Sequence, residues 1–430
     1  MNKMEERTDY RDQMYENQNP GRKSRKKRRS GGFLPGFLVG ILVTVIVVGI
    51  LFAVRGGSGP GGQSALSTGR SSGGAVNDEA VEKLRMLEQY ADFYYYKTSE
   101  VTDEQQREGM YRGLLDSFGD VYTCYFTPEE YKSLIEQTEG VFYGIGAYVS
   151  KDVESGSCVI SGIIKDSPAA SSDLMEGDII YKVNGEEMTG LELEEVVSRI
   201  KGEEGTEVTI TIIRNGEEKD LTITRARVNS PTVDSEMLDD GIGYLQITEF
   251  DEVTTDQFKE NMESLKSQGM KGLIIDLRGN PGGNVTTVCE IAEQLLPEGL
   301  IFYMKDKNGK KTEYTCKGAD FDLPLVVLVN EYSASASEIL SGAVKDAGIG
   351  TLVGKKTYGK GVVQNILPLD DGSAIKVTVA NYYTRGGNDI NLKGIEPDVE
   401  VELDSEKYLE DKTDTQREKA IEVMKEKLGK

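Results

Sequence analysis

The chain contains no histidine, and among its 430 residues that absence excludes more chemistry than any other. Without imidazole there is no Ser-His-Asp triad, no Cys-His dyad, no HExxH zinc motif and no histidine proton shuttle. Acid–base work near neutral pH falls to a carboxylate, a thiol or a lysine with a shifted pKa. Cysteine is scarce: Cys124, Cys158, Cys289 and Cys316 lie far apart and form no CxxC pair. They read as buried small side chains or free thiols rather than as metal ligands or a disulfide framework. No metal site and no cofactor is expected. What is present is ordinary for a folded protein, with 38% apolar and 29% charged residues. A chain of this length has room for two or three domains of roughly 100–200 residues each.

The formal net charge is −23 and unevenly spread. Residues 1–32 hold ten Lys/Arg and five Asp/Glu, a net +5, so the remainder carries −28. An acidic body repels phosphate backbones, which argues against nucleic acid as a partner. The basic segment ends in Arg22-Lys23-Ser24-Arg25-Lys26-Lys27-Arg28-Arg29, and an uncharged apolar run follows from Phe33 to Val54. As a helix, such a run of about 22 residues spans about 33 Å, enough for a bilayer hydrocarbon core of about 30 Å. The cationic flank predicts a cytoplasmic tail (1–32), a transmembrane helix (33–54) and everything beyond Arg55 outside the cell membrane. The competing reading is a cleaved signal peptide; the run is long for one, and no clear A-x-A site follows. Residues 55–77 are mostly Gly and Ser, a flexible tether with a reach of roughly 25 Å.

Residues 78–139 predict a helical domain. Ala80, Leu84, Leu87, Ala91 and Tyr94 recur at helical spacing, and Thr102 with Gln105, then Thr127 with Glu130, have capping-box spacing. Such a unit cannot bury its stripe alone. It packs on the rest of the chain or on a second copy, as do the apolar helical positions in the C-terminal segment 405–430, so a homodimer is open.

From Gly140 the pattern turns to short strands: Val141–Ser150, Cys158–Lys165, Thr206–Arg214 and, after the hairpin signal Asn215-Gly216, Glu218–Arg225. Between them lie Ser167-Pro168-Ala169-Ala170, Glu176-Gly177-Asp178-Ile179-Ile180, Val183-Asn184-Gly185 and a helix at Leu191 to Lys201. This order resembles a PDZ domain over residues 140–227. Tyr143, Gly144, Ile145 and Gly146 match its carboxylate-binding loop, where glycines let backbone N–H groups converge on a peptide terminus. Residues 228–404 then alternate strands (Ile242–Ile247, Leu273–Leu277, Leu325–Val329) with helices (Thr254–Ser267, Val285–Leu296, Ala336–Ala347), which argues an α/β fold.

Three loops in this part can carry chemistry. Asp276-Leu277-Arg278-Gly279-Asn280-Pro281-Gly282-Gly283 joins a strand to a helix, and its glycines allow amides to point at an oxyanion or simply make a tight connection. Tyr332-Ser333-Ala334-Ser335-Ala336-Ser337-Glu338 puts a serine at a helix N-terminus, where the dipole favours a developing oxyanion; plain N-capping is the alternative. Tyr358-Gly359-Lys360-Gly361-Val362-Val363-Gln364 is read as opening a strand that continues to Leu367, so that Lys360 and Gln364 share a face. Its glycine spacing does not fit a Walker A loop.

Together these segments resemble the carboxy-terminal processing peptidases, also called tail-specific proteases, over residues 78–404. The resemblance implies a crotonase-like α/β core with the PDZ domain inserted as a hinged gate. It implies Ser335 as nucleophile, Lys360 as general base, Gln364 as the lysine's orienting partner and Asp346 as a supporting acid. Oxyanion donors would be the backbone N–H of Ala336 and of Gly282 or Gly283. Arg199 or Lys201, at the end of the PDZ helix, would sense the bound peptide. The expected activity is an extracytoplasmic serine endopeptidase acting on proteins with apolar C-terminal tails. The rival from another class, a PDZ adaptor on a degenerate protease fold, predicts damage at Ser335 or Lys360, and both are intact.

Overall fold

The computed structural model describes residues 74–153 and 155–430. The basic tail, the apolar run 33–54 and most of the Gly/Ser tether lie outside them. Among the described residues, no helix is long and apolar enough to cross a membrane.

The protease part is built on a sheet of six strands. Val233–Leu238 is its antiparallel edge, and Ile242–Ile247, Gly272–Asp276, Leu325–Val329, Gly350–Gly354 and Val399–Glu400 follow in parallel. Gly272–Asp276 and Leu325–Val329 are buried at every position, as apolar runs covered on both faces must be. One face packs Leu245, Ile275 and Val327 against the helices Thr254–Ser267, Val285–Glu293 and Ala336–Ala347. The other packs Tyr244, Ile274, Val326 and Leu328 against Ala420, Val423 and Met424 of the C-terminal helix Thr415–Lys427. The apolar positions of that helix are therefore spent within the chain. Each such aliphatic side chain contributes roughly 1.5–3 kcal/mol on leaving water.

A second, antiparallel sheet orders Cys124–Phe126, Ala374–Thr384, Gly299–Asp306 and Lys311–Cys316, with Val362–Pro368 also paired to Ala374–Thr384. Its Phe302 and Tyr382 join the same core as Ile339, Leu340 and Ala343, so the helix Ala336–Ala347 is gripped between the two sheets. Nine of its twelve residues are buried.

The inserted domain is a six-stranded sheet around its own core, in which Ile160, Ile180, Val196, Val208 and Ile210 are almost fully buried. The expected strand Val141–Ser150 is broken. Val141–Gly144 pairs with Ala226–Asn229 as a separate ribbon, and Ala147–Lys151 belongs to the domain sheet. Gly146 makes the break: its φ is 80°, and a Cβ there would stand 2.2 Å from Ser167 Cβ. The Asn215-Gly216 turn has φ of 54° and 82°, as a two-residue hairpin requires.

The N-terminal unit holds the helices Asp78–Tyr94, Asp103–Asp116 and Pro128–Glu139, the last two opened by the capping boxes at Thr102 and Thr127. Neither Asp78–Tyr94 nor Asp103–Asp116 buries a single residue, so the stripe through Leu84 and Leu87 stays exposed. The sequence reading missed the strand Cys124–Phe126 between the second and third helices. Three residues are too few to show a period of two.

Candidate active site

The strand Leu325–Val329 ends at Asn330, and the chain turns through Tyr332–Ala334 into the helix Ala336–Ala347. Ser335, at the helix cap, has φ 56° and ψ −112°. A non-glycine residue adopts such a backbone only under constraint, at a cost of about 1–3 kcal/mol. The constraint is supplied by the 276–283 loop. Asn280 Nδ2 donates to Ile247 O (2.9 Å), while Asn280 O accepts from Ala334 N–H (3.0 Å) and Ser337 Oγ (2.9 Å). Ser333 Oγ donates to Leu277 O at 2.8 Å. The base of the loop is anchored in turn by Arg278, bonded to Asp276 and to Asp414 at the start of the C-terminal helix.

Gly282 and Gly283 have φ of 110° and 144°, and both are crowded. A Cβ on Gly282 would stand 2.8 Å from Ser335 Cβ, and one on Gly283 2.4 Å from Phe250 O. Only glycine brings this backbone against the serine. Gly282 N–H donates to Asn280 Oδ1 at 2.8 Å, whereas among the described residues the amides of Gly283 and Ala336 have no acceptor. Of the two glycines, Gly283 is the one whose N–H is not already engaged.

The expected strand start at Tyr358 is corrected by the structure: the strand runs Val362–Pro368, and Lys360 sits on the loop before it. Gly359 (φ 90°) and Gly361 press against the backbone of residues 391–394, which prevents regular pairing there. Lys360 and Gln364 are thus brought near the site by a loop and by a strand, with a bulge between Val363 and Gln364, not by a shared strand face.

Glu338 ties this loop to the Ser335 turn. Its Oε2 accepts from Ser335 N–H and Lys360 N–H, both at 2.9 Å; its Oε1 accepts from Gly359 N–H (2.7 Å) and Thr357 Oγ1 (2.5 Å). The carboxyl is fully buried, and burial raises its pKa against the pull of those four donors. Sequence reading assigned Glu338 no role, although its position three residues after Ser335 was a capping-box signal.

Lys360 is 4% exposed. Burial first, then the like charge of Lys376, brings its pKa down to about 7, against the opposing pull of Glu338 and Asp120. A buried ammonium sheds its proton because the neutral amine loses less solvation. Its Nζ lies 4.6 Å from the centroid of the Tyr122 ring. Lys376, on the strand Ala374–Thr384, is itself fully buried beside Cys124, with Nζ 5.3 Å from the Phe126 ring, and its pKa is lowered by burial. Gln364 is buried and donates through Nε2 to Thr378 Oγ1 (3.2 Å), while Gln364 Oε1 and Ser335 Oγ make no hydrogen bond. Neither group is bonded to Lys360 in this arrangement.

Asp346 lies apart, near the far end of the helix Ala336–Ala347, where its Oδ2 accepts from Gly386 N–H at 2.6 Å. It braces a turn and does not meet Ser335.

Residues 241–401 match the model of peptidase family S41, and residues 134–213 match that of the PDZ domain. The carboxy-terminal processing protease CtpA of Bacillus subtilis is 38% identical over 345 residues, covering 80% of this chain and 72% of that protein. The chain belongs to peptidase family S41. It is a carboxy-terminal processing serine protease carrying a PDZ domain. CtpB of the same organism is 34% identical over 349 residues, covering 79% of this chain and 71% of that one. Among solved structures, a photosystem II D1 C-terminal processing protease is 29% identical with a TM-score of 0.44, covering 75% of this chain and 92% of that one.

The PDZ domain of this S41 protease borders a cavity of about 540 Å³. Gly144, Ile145 and Gly146 line it with Val197, Ile200 and Lys201 of the PDZ helix, and Thr248, Glu249 and Asp251 close its protease side. Tyr143 is not in the lining. Of the two basic candidates, Lys201 lines the cavity and lies 5.9 Å over the Phe142 ring, whereas Arg199 is paired with Glu186 and Glu195 on the surface. Asp251 is buried beside Glu249; burial, then that neighbour's charge, raises its pKa to about 8. The same segment reaches the loop that packs against Ser335, since Phe250 N–H donates to Gly282 O (2.9 Å) and Phe250 O accepts from Asn284 N–H (2.6 Å).

Proposed function

We propose that this protein is a membrane-anchored extracytoplasmic endopeptidase. It would hold apolar C-terminal tails of protein substrates on its PDZ domain and cleave nearby through a Ser335–Lys360 acyl-enzyme mechanism. The observation that carries this reading is Glu338, one buried carboxylate that accepts from the backbone of both residues. Lys360, with a pKa of about 7, is a neutral amine over much of the physiological range. It takes the Ser335 Oγ proton as that oxygen attacks the scissile carbonyl. The oxyanion is received by the amides of Ala336 and Gly283 at the positive end of the helix. Lys360 then passes its proton to the leaving amine, and water attacks the acyl-enzyme by the same route.

Gln364 Oε1, which has no hydrogen-bond partner here, supplies an acceptor for the lysine in the engaged state. Since Ser335 Oγ is likewise unbonded, productive geometry requires a shift that brings the Ser335 and Lys360 side chains together. Coupling that shift to tail capture is the gating reading. The groove supports it, because its protease-side wall adjoins Phe250 and hence Gly282. Lys201 is preferred over Arg199 as the residue that senses the peptide. Asp346 would act only by bracing the Gly386 turn.

The anchor reading rests on the basic cluster and the apolar run after it, and the extracytoplasmic location on their order. The exposed Leu87, Tyr90, Phe93 and Tyr94 on a helix with no buried residue favour a homodimer through the N-terminal unit. The acidic body gives no support to a nucleic-acid partner.

The test is Ser335→Ala on an unfolded substrate with an apolar C-terminus. Cleavage should fall by about 10⁴-fold or more while tail-peptide binding persists. Cleavage at the parental rate would remove Ser335 as nucleophile. In parallel, excision of residues 140–227 should abolish any activation by added tail peptide, and a deletion variant that matches the parent's activity both with and without peptide would end the gating reading.

A further inference from the structure

The segment Asp120–Phe126 precedes both matched regions, which begin at residues 134 and 241, yet it reaches the catalytic pocket. It is stitched in place. Cys124, Tyr125 and Phe126 pair with Lys376, Ile375 and Ala374, and Thr123 Oγ1 accepts from Thr378 N–H at 3.2 Å. Thr378 in turn accepts from Gln364. Asp120 fixes the turn ahead of the strand, accepting from Tyr122 N–H (3.2 Å) and Thr123 Oγ1 (2.6 Å). The turn delivers the Tyr122 ring to 4.6 Å from Lys360 Nζ, and four residues later the Phe126 ring lies 5.3 Å from Lys376 Nζ.

Resting on the reading of Lys360 as base, we infer that Tyr122 is a positioning residue for the catalytic lysine. The N-terminal segment is then a wall of the active site and not merely a neighbour of it. The ring's negative face attracts an ammonium and barely attracts a neutral amine. It therefore does two things at once. It limits where the Lys360 side chain can lie, and it favours the protonated form that exists after Ser335 has given up its proton. The other charged or titratable groups acting on this lysine are Lys376 on the second sheet, Glu338 on the helix after Ser335, and Asp120 on the same segment as the ring. None of these three is an aromatic face, so a change confined to the ring's electrons isolates Tyr122.

The experiment replaces Tyr122 in the full chain by Phe and then by phenylalanines carrying one, two and three ring fluorines. These keep the shape and progressively drain the π-face. The pH dependence of kcat is read for each, together with KM, and Lys360→Met is measured alongside. The acid limb is expected to move to lower pH step by step, by about 0.5–1 unit over the series, because a weaker π-face holds the ammonium less. KM should stay constant. Tyr122→Leu, which removes the face altogether, should lose 10-fold or more in kcat, against at most about 3-fold for Tyr122→Phe. A merely structural ring would leave the limb in place across the fluorine series. A flat series with inactive Lys360→Met overturns the role of Tyr122 alone. An active Lys360→Met overturns the lysine as base and this inference with it.

Discussion

The two sides of the active site are made differently. On the serine side, Ser335, Ala336 and Gly283 come from two loops that leave neighbouring parallel strands, Gly272–Asp276 and Leu325–Val329. Each loop is contiguous, and Asn280 ties them together through backbone groups. On the lysine side, Lys360, Gln364, Lys376 and Tyr122 come from three separated stretches of chain, and they meet through side chains. A sheet's strand order dictates the first arrangement. The second exists only once a short strand from the N-terminal unit has joined an antiparallel sheet. Backbone hydrogen bonds hold one side, and burial and side-chain contacts hold the other.

Glu338 is the joint between the two, so the largest effect short of removing Ser335 or Lys360 should come from altering it. Glu338→Gln exchanges one acceptor oxygen for an NH₂ group that confronts N–H or O–H donors. Stability should fall by about 2–3 kcal/mol, and kcat by about 100-fold from displaced groups. Denaturant melts and steady-state kinetics on the same preparation would check this. Parental kcat in a folded variant would mean that the two sides do not need the joint.

Lys376→Met sharpens the contrast on the lysine side. Removing a like charge makes the Lys360 ammonium easier to hold, so its pKa rises. The acid limb of kcat should then move to higher pH, by about one unit, with activity at pH 7 falling accordingly. An unmoved limb would show that the second lysine is only packing.

The smallest effect is expected at the margin of the serine side. Asp251 has a folded pKa of about 8 against an ordinary carboxyl near 4, so the folded state keeps a proton that the unfolded chain releases. Its contribution is harmless below pH 4, and stability is lost as pH rises from about 4 to 8. Asp251→Asn should remove that slope, leaving the variant more stable than its parent by about 1–2 kcal/mol at pH 8 and equal to it at pH 4. Melting curves at the two pH values decide the matter. Parallel curves would leave the Glu249–Asp251 pair without this cost.

The same division explains what could be read in the sequence. Asp276–Gly283 and Tyr332–Glu338 are continuous words, and although a tight connection or plain N-capping explains either one alone, together they point to one site. The helix Ala336–Ala347 and the strand Leu325–Val329 announce themselves by length and apolar period. Lys360 is visible because glycines frame it, although its loop reads as a strand. Lys376 is not, because it sits inside an ordinary strand as one more alternating residue, and nothing local reveals that its side chain is buried. Tyr122 and Asp120 lie in a stretch that reads as a turn between helices, and only pairing across some 250 residues gives them a role. In the PDZ domain, the Gly146 break shows the limit of period-two reading, since β-forming composition continues across it.

The ribbon of Val141–Gly144 with Ala226–Asn229 has a further consequence. The chain enters and leaves the PDZ domain through two strands bonded to each other, with Val141 opposite Asn229. Everything between them is topologically a long hairpin loop. Such an insert folds on its own core without threading through the protease sheet, and its removal leaves two ends already side by side that a short turn can join. The domain is therefore a cassette. A different module grafted between the same two strands should leave the protease sheet folded, which melting curves of the chimera would check.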